Sequence, residues 1–310
     1  MTAVPGRLLG GLERAAGSAA SHATALGYLS GWRLVRLLPE PAARAVFARI
    51  ADRIYRANGK GVQRLRRNLS RVRPDADDAE LDGLTRAGMR SYLRYWCESF
   101  RLPSWPTEDV VRRTRTVGEQ RLRDAYAAGT GVVVALPHMG NWDWAGAWAC
   151  ATGMPLATVA ERLEPQRLYD DFVAYRGSLG MEILPAGDPS TFSRLVDWAG
   201  AGGFVCLLAD RDLSRSGVEV VLCGQGARMP RGPAALARRT GAPLIPATLA
   251  YDGDELEITF HPDVPPADGD DGLVQMMQGV ADAFTAGIRE HPEDWHMMQK
   301  VFSADLAGGR

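Results

Sequence analysis

The stretch that decides the fold is Val132 to Trp148, VVVALPHMGNWDWAGAW, in which an apolar run ends at Pro137 and a histidine follows at once. A short β-branched run predicts a buried strand, and the residues after Gly140 have the composition of a helix. His138 therefore lies where a strand passes into a helix. In open α/β sheets, the loops at the carboxyl ends of strands usually carry the chemistry.

The spacing of His138 and Asp143 limits how the two side chains can meet. In a continuous helix, five residues at about 100° each would place them roughly 140° apart, on different faces. Gly140 permits a turn between them, and Asn141 is a favourable N-cap. We expect Asp143 in the first helical turn, accepting a proton from one imidazole nitrogen and leaving the other free as a base. A core histidine satisfied by a nearby acid is the alternative interpretation.

Outside this stretch, apolar runs alternate with helical patterns through the second half of the chain. The predicted strands are 132–136, 155–160, 181–184, 204–209, 218–222, 244–249 and 256–260, and the predicted helices are 141–152, 166–179, 189–200, 231–240 and 272–290. Such alternation predicts an α/β fold with a central, mostly parallel sheet flanked by helices. We expect the 218–222 and 256–260 strands to be hairpin partners at the sheet edges.

The first part of the chain is basic and helical. Residues 1–75 contain fourteen Lys or Arg and four Asp or Glu, a net charge of +10, which leaves −11 for the remainder of a chain whose total is −1. Apolar stripes at helical spacing predict helices over 42–57, 61–73 and 79–100. We therefore divide the chain into a basic helical, membrane-facing subdomain, 1–105, and an α/β body, 106–310.

The basic arm indicates an anionic partner, either a membrane surface or a nucleic acid. Residues 22–38 are suited to lie on a membrane, and no segment reaches the roughly 20 apolar residues of a spanning helix. For the 61–73 helix, packing on the body and an interfacial position on acidic lipid both remain open. Zinc-finger, RNP-like and helix-turn-helix signatures are missing, so we expect no nucleic-acid partner.

The cysteines and the N-terminal residues give an expectation about the cellular compartment of the protein. Neither CxxC nor metal-ligand spacing occurs, and we expect buried, reduced thiols in a cytosolic protein at Cys97, Cys150, Cys206 and Cys223. No secretory signal is predicted, because charged residues interrupt the N-terminus and no long apolar segment follows.

The His138-x4-Asp143 spacing within HMGNWDW, after an apolar strand, resembles the acyltransferase motif of the glycerolipid and lipid A acyltransferases. Further stretches extend the similarity over roughly residues 90 to 302: ERL at 161–163, YRG at 175–177, ADRD at 209–212, RMPRGP at 228–233 and PEDW at 292–295. Within this superfamily the chain is most similar to the actinobacterial phosphatidylinositol mannoside acyltransferases.

The resemblance implies an enzyme that moves a fatty acyl chain, palmitoyl in our expectation, from acyl-CoA to the 6-hydroxyl of a mannose on phosphatidylinositol mannoside. His138 is the expected general base, and Asp143 is expected to hold its tautomer. We expect no metal and no cofactor, and a peripheral position on the cytoplasmic face of the cell membrane. A covalent acyl-enzyme is disfavoured, because the chain has no Gly-x-Ser-x-Gly elbow and no cysteine beside His138 in sequence.

Other strand ends supply further candidates for the site. Asp210 and Asp212 are placed with the catalytic residues, and Glu219 is an outside candidate for the family's acidic residue. Arg176 is favoured over Arg162 as a fork for a phosphate group, as the resemblance also implies. The remaining predicted substrate-binding residues are Asn141, Trp142, Arg211 and Arg228.

The tryptophans and the closing motif are given mainly structural roles. We expect Trp142, Trp144 and Trp148 to pack, with the wall of an acyl groove as the alternative. The motif at 292–295 is expected to be structural, and His296 is not expected to act as a base.

Three other functions remain open. The chain could be a lipid A-type or other glycolipid or lysophospholipid acyltransferase. It could be a lipid-binding protein with a degenerate site, although an intact His–Asp pair argues against this. A nucleic-acid binder would instead depend on the basic residues 1–75.

Overall fold

A computed structural model describes residues 35–162, 166–212 and 216–306. The surface helix predicted for 22–38 falls mostly outside the described residues. In the described ranges the strands are β1 (Thr114–Val117), β2 (Val132–Leu136), β3 (Leu156–Ala160), β4 (Glu182–Pro185), β5 (Phe204–Leu208), β6 (Val218–Leu222), β7 (Gln225–Met229), β8 (Leu244–Asp252) and β9 (Glu255–Phe260).

Helices surround these strands. They are α1 (Glu40–Ala57), α2 (Lys60–Val72), α3 (Asp78–Arg101), α4 (Thr107–Arg112), α5 (Glu119–Ala127), α6 (Trp142–Ala151), α7 (Gln166–Ser178), α8 (Thr191–Gly200), α9 (Gly232–Thr240), α10 (Gly272–Glu290) and α11 (Ser303–Leu306). Two short 3₁₀ turns, Leu102–Ser104 and Pro292–Asp294, complete the set. Within the described ranges, no helix combines the length and the apolar character needed to cross a bilayer.

The predicted α/β architecture is confirmed. Seven strands form one sheet in the order β1-β9-β8-β2-β5-β3-β4, and β6 and β7 form a separate hairpin. The five strands from β8 to β4 are parallel, whereas β9 runs antiparallel to β8 and parallel to β1. The sheet is therefore mostly parallel, as the alternation of strands and helices predicted.

The prediction that 256–260 lies at a sheet edge was wrong. The corresponding β9 is the antiparallel partner of β8, but β1 pairs along its other side and forms the edge. The sequence pattern missed β1 because TRTV has a single strongly apolar residue. β7 was missed for a similar reason, since QGARM contains glycine and arginine, and the predicted loop at Arg228 is the end of this strand.

The two faces of the central strands belong to two different cores. Val133 and Ala135 of β2 pack in a cluster with residues of α8, α9 and α10. Val134 and Leu136 pack in a second cluster with α4, α5 and α6. Because side chains alternate along a strand, one short apolar run serves both faces.

The helices before residue 105 pack against this body. The apolar side of α2 is entirely covered, because Val62, Leu65, Leu69 and Val72 are all buried. Helix α2 therefore packs on the body with this apolar side, which is not available for contact with lipid. Helix α1 differs, since Val46, Ile50 and Ile54 on its outer side are each about 40% exposed. The division of the chain at residue 105 stays a prediction.

Candidate active site

The loop between β2 and α6 has the local structure that its residues predict. Gly140 has φ +56°, and a Cβ there would lie 2.8 Å from the Cβ of Leu249, so glycine is required for both conformation and space. Asn141 caps α6, because its side-chain oxygen accepts a hydrogen bond from the N–H of Trp144 at 3.0 Å. The predicted turn and N-cap are confirmed.

His138 is paired with Asp210. The imidazole Nδ1 lies 2.6 Å from Oδ1 of Asp210, and the backbone N–H of His138 donates to Oδ2 at 2.9 Å. The indole N–H of Trp295 donates to the same Oδ2 at 2.9 Å. Asp210 is fully buried, so its carboxylate is held by three groups with no access to solvent.

The parallel pairing of β2 with β5 explains this contact. Leu136 and Leu208 are partners in register, and each is the last residue of its strand. His138 and Asp210 each lie two residues beyond these partners, at the same edge of the sheet. Two side chains separated by 72 residues in sequence are thus brought together by one strand pairing.

The chemistry of Asp210 sets the protonation of the His138 ring. Burial opposes ionisation of Asp210, but the charge of His138 and the hydrogen bonds from its ring, its backbone and Trp295 outweigh that effect, so the pKa of Asp210 lies below its ordinary value. A carboxylate only accepts, so Nδ1–H must donate. In the neutral form of the ring, Nε2 is then the nitrogen without a proton, on a side chain that is 24% exposed, which is the arrangement of a general base.

The predicted contact between Asp143 and His138 was wrong. Asp143 is in the first turn of α6, as predicted, but its Oδ1 accepts from Nε of Arg176 at 2.7 Å and its Oδ2 accepts from the hydroxyl of Tyr95 at 3.0 Å. The side chain points toward α3 and α7, whereas the His138 ring is turned to Asp210. Over five helical residues the side-chain direction rotates by about 140° around the helix axis, and the turn at Gly140 does not bring the Asp143 side chain back to face His138.

Asp143 is buried and Arg176 is mostly buried, with 16% of its side chain exposed, and the two form an ion pair. Burial opposes the charge on Arg176, but the Asp143 carboxylate outweighs it and raises the pKa of the guanidinium. Burial, together with Asp143, raises the pKa of Tyr95 well above its ordinary value, so the phenol stays protonated and donates. Arg176 was predicted as a fork for a phosphate, yet its Nε is committed to Asp143.

Replacing Asp143 with alanine is expected to destabilise the fold, because it leaves the Arg176 charge buried without its partner. Breaking such a pair costs about 3–5 kcal/mol, which corresponds to a drop in Tm on the order of 10 °C for a chain of this size. Differential scanning calorimetry measures it. Asp197→Ala removes an exposed carboxylate from α8 and is the matched control. An unchanged Tm for Asp143→Ala would contradict the structural role.

The other predicted polar residues lie in neighbouring interactions. Asp212 accepts a hydrogen bond from the N–H of Gly217 at 3.0 Å, and Glu219 accepts one from Ser303 at 2.6 Å. The carboxylate that is hydrogen-bonded to the His138 ring is that of Asp210, which is therefore the acidic partner that the sequence left unresolved. Arg228 lies near both, with its Nε 3.5 Å from Glu219 and a terminal nitrogen 3.9 Å from Asp212.

The two remaining predicted arginines lie at the ends of β3 and β5. Arg211 donates to Glu161 and its side chain is only 9% exposed, so it joins the ends of the two strands. Arg162 is more than half exposed and lies 3.6 Å from Asp188. Their predicted roles in substrate binding stay predictions.

The closing segment contributes to the site in a way that the sequence did not indicate. Besides the bond from Trp295 to Asp210, the N–H of His296 donates to the carbonyl of His138 at 2.8 Å, and the N–H of Gly140 donates to the carbonyl of Asp294 at 2.9 Å. These bonds hold the His138 loop against residues 294–296. Burial, with His138 nearby, lowers the pKa of His296 to about 3, so its ring is neutral at pH 7.

Helix α3 supports the same loop from its other side. Ser91, Tyr95 and Glu98, spaced along one face of the helix, contact His296, Asp143 and Asn141 respectively. Sequence periodicity placed Tyr95 inward but gave no sign that polar residues of this face reach the site.

Only one group of potential metal ligands emerges in the described ranges. Side-chain atoms of His291, Glu293 and Asp294 lie within 4.8 Å of one another. Both oxygens of Asp294 already accept hydrogen bonds, from Ser91 and from the N–H of Tyr251. The absence of a metal in the reaction stays a prediction.

An apolar cavity lies between α6 and the sheet, close to His138. Its outer part is lined by Trp142, Asp143, Arg176 and Leu208 with neighbouring apolar residues, and the ring of Trp142 lies 5.5 Å from that of His138. The cavity continues beneath α6 toward Phe260. Trp144 and Trp148 are buried, as the packing prediction requires, and Trp148 also lines the deeper part.

The described cysteines are free thiols, of which two are buried and two are partly buried. Burial raises the pKa of Cys97 and of Cys206 to about 12 and that of Cys223 to about 11, and it also raises the pKa of Cys150. All four are therefore thiols at neutral pH, and none is poised as a nucleophile.

Comparison with known proteins connects this geometry to a family. Residues 18–304 match the family described as "Bacterial lipid A biosynthesis acyltransferase". The chain belongs to this family. As a lipid A biosynthesis acyltransferase family member the protein is an acyltransferase, and the matched region contains the His138–Asp210 pair, the capped α6 and the closing segment.

Two relatives of this acyltransferase are similar along almost their whole length. One, from Mycolicibacterium smegmatis (strain ATCC 700084 / mc(2)155), is named phosphatidylinositol mannoside acyltransferase and is 44% identical over 291 residues, 93% of this chain and 94% of the relative. The other, from Mycobacterium tuberculosis (strain CDC 1551 / Oshkosh), has the same name and is 43% identical over 292 residues, 93% of this chain and 91% of the relative. The predicted resemblance is confirmed.

Proposed function

We propose that this acyltransferase moves a fatty acyl chain from an acyl thioester, acyl-CoA in our proposal, to a mannose hydroxyl of phosphatidylinositol mannoside. The observation that carries the proposal is the His138–Asp210 pair, which leaves Nε2 of a partly exposed imidazole free next to Trp142, a lining residue of an apolar cavity. The names of two relatives that are 43–44% identical over 93% of the chain support the acceptor.

The proposed step is direct transfer. Nε2 of His138 takes the proton of the sugar hydroxyl, which we assign to the 6-position, as the oxygen attacks the thioester carbonyl. Asp210 stabilises the imidazolium that forms. The tetrahedral intermediate collapses with loss of the thiolate, and the imidazolium returns the proton to it. The products are the acylated glycolipid and a free thiol, and no covalent enzyme intermediate is needed.

The start of α6 supplies groups for the negative charge on the carbonyl oxygen. The first N–H groups of a helix have no partner within the helix and carry its positive dipole end. Asn141 caps one of them, that of Trp144, which leaves the preceding amides for this purpose. Donors positioned in this way are worth about 10²–10³-fold in rate.

The acyl chain of the donor enters the cavity beneath α6 in this proposal. The cavity is lined by Trp142, whose ring lies 5.5 Å from that of His138, and its lining is apolar apart from Asp143, Arg176 and Thr158. An acyl chain bound there places the thioester carbonyl beside Nε2 of His138, the proposed general base. We assign a palmitoyl donor, as the sequence resemblance implies.

We also assign a peripheral position on the cytoplasmic face of the membrane, where the glycolipid acceptor can be reached. The exposed Val46, Ile50 and Ile54 on the outer side of α1 support contact with a lipid surface. Arg49 and Arg53 lie on the same helix and suit anionic head groups.

The test is release of free CoA from palmitoyl-CoA by the purified protein, with and without phosphatidylinositol mannosides. We expect release that rises at least tenfold on adding the acceptor, together with an acylated glycolipid identified by mass spectrometry. A lipid A precursor and a lysophospholipid serve as competing acceptors. Preference for either would replace the proposed acceptor, and binding of the lipids without any release would point to a lipid-binding protein.

A further inference from the structure

The cavity beneath α6 has an outer and an inner part. The outer part opens at Trp142 and Arg176, whereas the inner part ends at Phe204 and Phe260. Residues common to both linings mark the place where the two parts meet, and these are Leu136, Gly146, Leu156 and Cys206.

The direction of the cavity follows the central strands. Leu208, Cys206 and Phe204 are alternate residues of β5, so they lie on one face of the sheet in order from mouth to floor. Four strand residues at about 3.3 Å each give a depth of about 13 Å. A hydrocarbon chain that enters beside His138 therefore passes the meeting point before it reaches the floor.

The contact between Gly146 and Met181 narrows the cavity at that meeting point. Gly146 is in the middle of α6, and a Cβ at this position would lie 2.6 Å from Cε and 2.8 Å from Sδ of Met181. The thioether thus packs directly on the backbone of the helix. Met181, just before β4, is buried and lines the outer part of the cavity.

The Met181 side chain can move more easily than the strand residues that line the meeting point. Leu136 and Cys206 belong to β2 and β5, which are paired on both sides within the sheet. Met181 ends in an unbranched, flexible thioether that changes rotamer at little cost. The width of the cavity at this point therefore depends on where the Met181 thioether lies against Gly146.

We propose that the Gly146–Met181 contact selects the length of the acyl chain that this enzyme accepts. The inference rests on the proposed function, since it takes the cavity as the site of the donor's acyl chain. Chains that end before the contact bind in the outer part alone. Longer chains must displace the Met181 thioether to enter the inner part, and this displacement limits their affinity.

The experiment measures equilibrium binding of non-hydrolysable S-alkyl-CoA thioethers, from butyl to hexadecyl, by isothermal titration calorimetry. In Gly146→Ala the added methyl pushes Met181 into the cavity, so we expect hexadecyl to lose at least about fourfold in affinity relative to butyl, which ends before the contact; this is the effect of about one buried methylene. In Met181→Ala we expect the opposite shift, of similar size, in favour of the longest chains.

A control variant separates chain selection from general damage. Gly83→Ala places a methyl on α3 where no atom lies within 4 Å, so it controls for the glycine-to-alanine change itself. Because alanine favours helix more than glycine does, Gly146→Ala is expected to fold even if Met181→Ala does not.

The outcomes distinguish this inference from the proposed function. Opposite shifts in Gly146→Ala and Met181→Ala support chain selection by this contact. Wild-type binding that depends on chain length, with profiles unchanged in both variants, overturns the selection while leaving the proposed function in place. No binding of any thioether by the wild type overturns both the acyl site in this cavity and the selection.

Discussion

Replacing His138 with alanine is expected to lower acceptor-dependent CoA release by about 10²–10⁴-fold, the range that a positioned general base contributes. The reason is that Asp210 holds Nδ1 of His138, so that Nε2 is the nitrogen of the neutral ring that can take the proton of the acceptor hydroxyl. The measurement is kcat for palmitoyl-CoA at saturating acceptor. Because the acyl chain binds beneath α6 in our proposal, KM for the donor should change much less than kcat.

The control for this variant is His261→Gln. His261 follows β9, which runs antiparallel to β8, so it lies at the opposite edge of the sheet from His138. Its ring contacts the hydroxyl of Thr248 at 2.8 Å, a bond that glutamine can replace. Its kcat should stay within about threefold of wild type. Undiminished release in His138→Ala would refute the general-base mechanism.

Replacing Asp210 with asparagine is expected to lower kcat by a comparable factor, about 10²–10⁴-fold. An amide in place of the carboxylate removes the charge that stabilises the imidazolium. Its NH₂ group can also face Nδ1, which would place the ring proton on Nε2 and remove the base. The side chain keeps an oxygen for the N–H of Trp295, so the fold should persist. Steady-state kinetics with a thermal melt of the same sample measure both effects.

Variants of two other carboxylates, Asp212 and Asp143, serve as controls for Asp210→Asn. Asp212→Asn should retain activity within about threefold, because its carboxylate caps the N–H of Gly217 rather than the imidazole. Asp143→Asn should reduce stability and leave kcat of the folded fraction much closer to wild type, since Asp143 contacts Arg176 and Tyr95. A kcat loss of 10²-fold or more in Asp143→Asn, with Asp210→Asn nearly active, would reverse the roles assigned by the geometry.

The ion pair between Asp143 and Arg176 gives a structural reason for an acidic residue five positions after His138. Its partners come from α3 and α7, so the carboxylate joins the start of α6 to these two helices. The loop of His138 is held on its other side by Trp295 and His296. The His138 loop is thus held by contacts from α3, α7 and residues 294–296, as the preorganisation of the proposed base requires.

The sequence by itself determined the features that depend on near neighbours along the chain. The apolar run 132–136 is a strand, Gly140 turns, Asn141 caps α6 and Asp143 lies in the first turn, all as predicted. Each of these follows from backbone sterics, capping or the period of apolar residues, and such interactions act within a few residues. The same locality explains why the strands without apolar runs, β1 and β7, were missed.

Only the tertiary structure decided the partners of the charged groups. Asp210 rather than Asp143 faces His138 because β5 pairs with β2 in register, a choice among strands that no local pattern encodes. Tyr95 and Arg176 meet Asp143 because α3 and α7 pack beside the start of α6. The energy of these contacts depends on burial and on the order of strands, which the whole chain sets when its two cores close around the sheet.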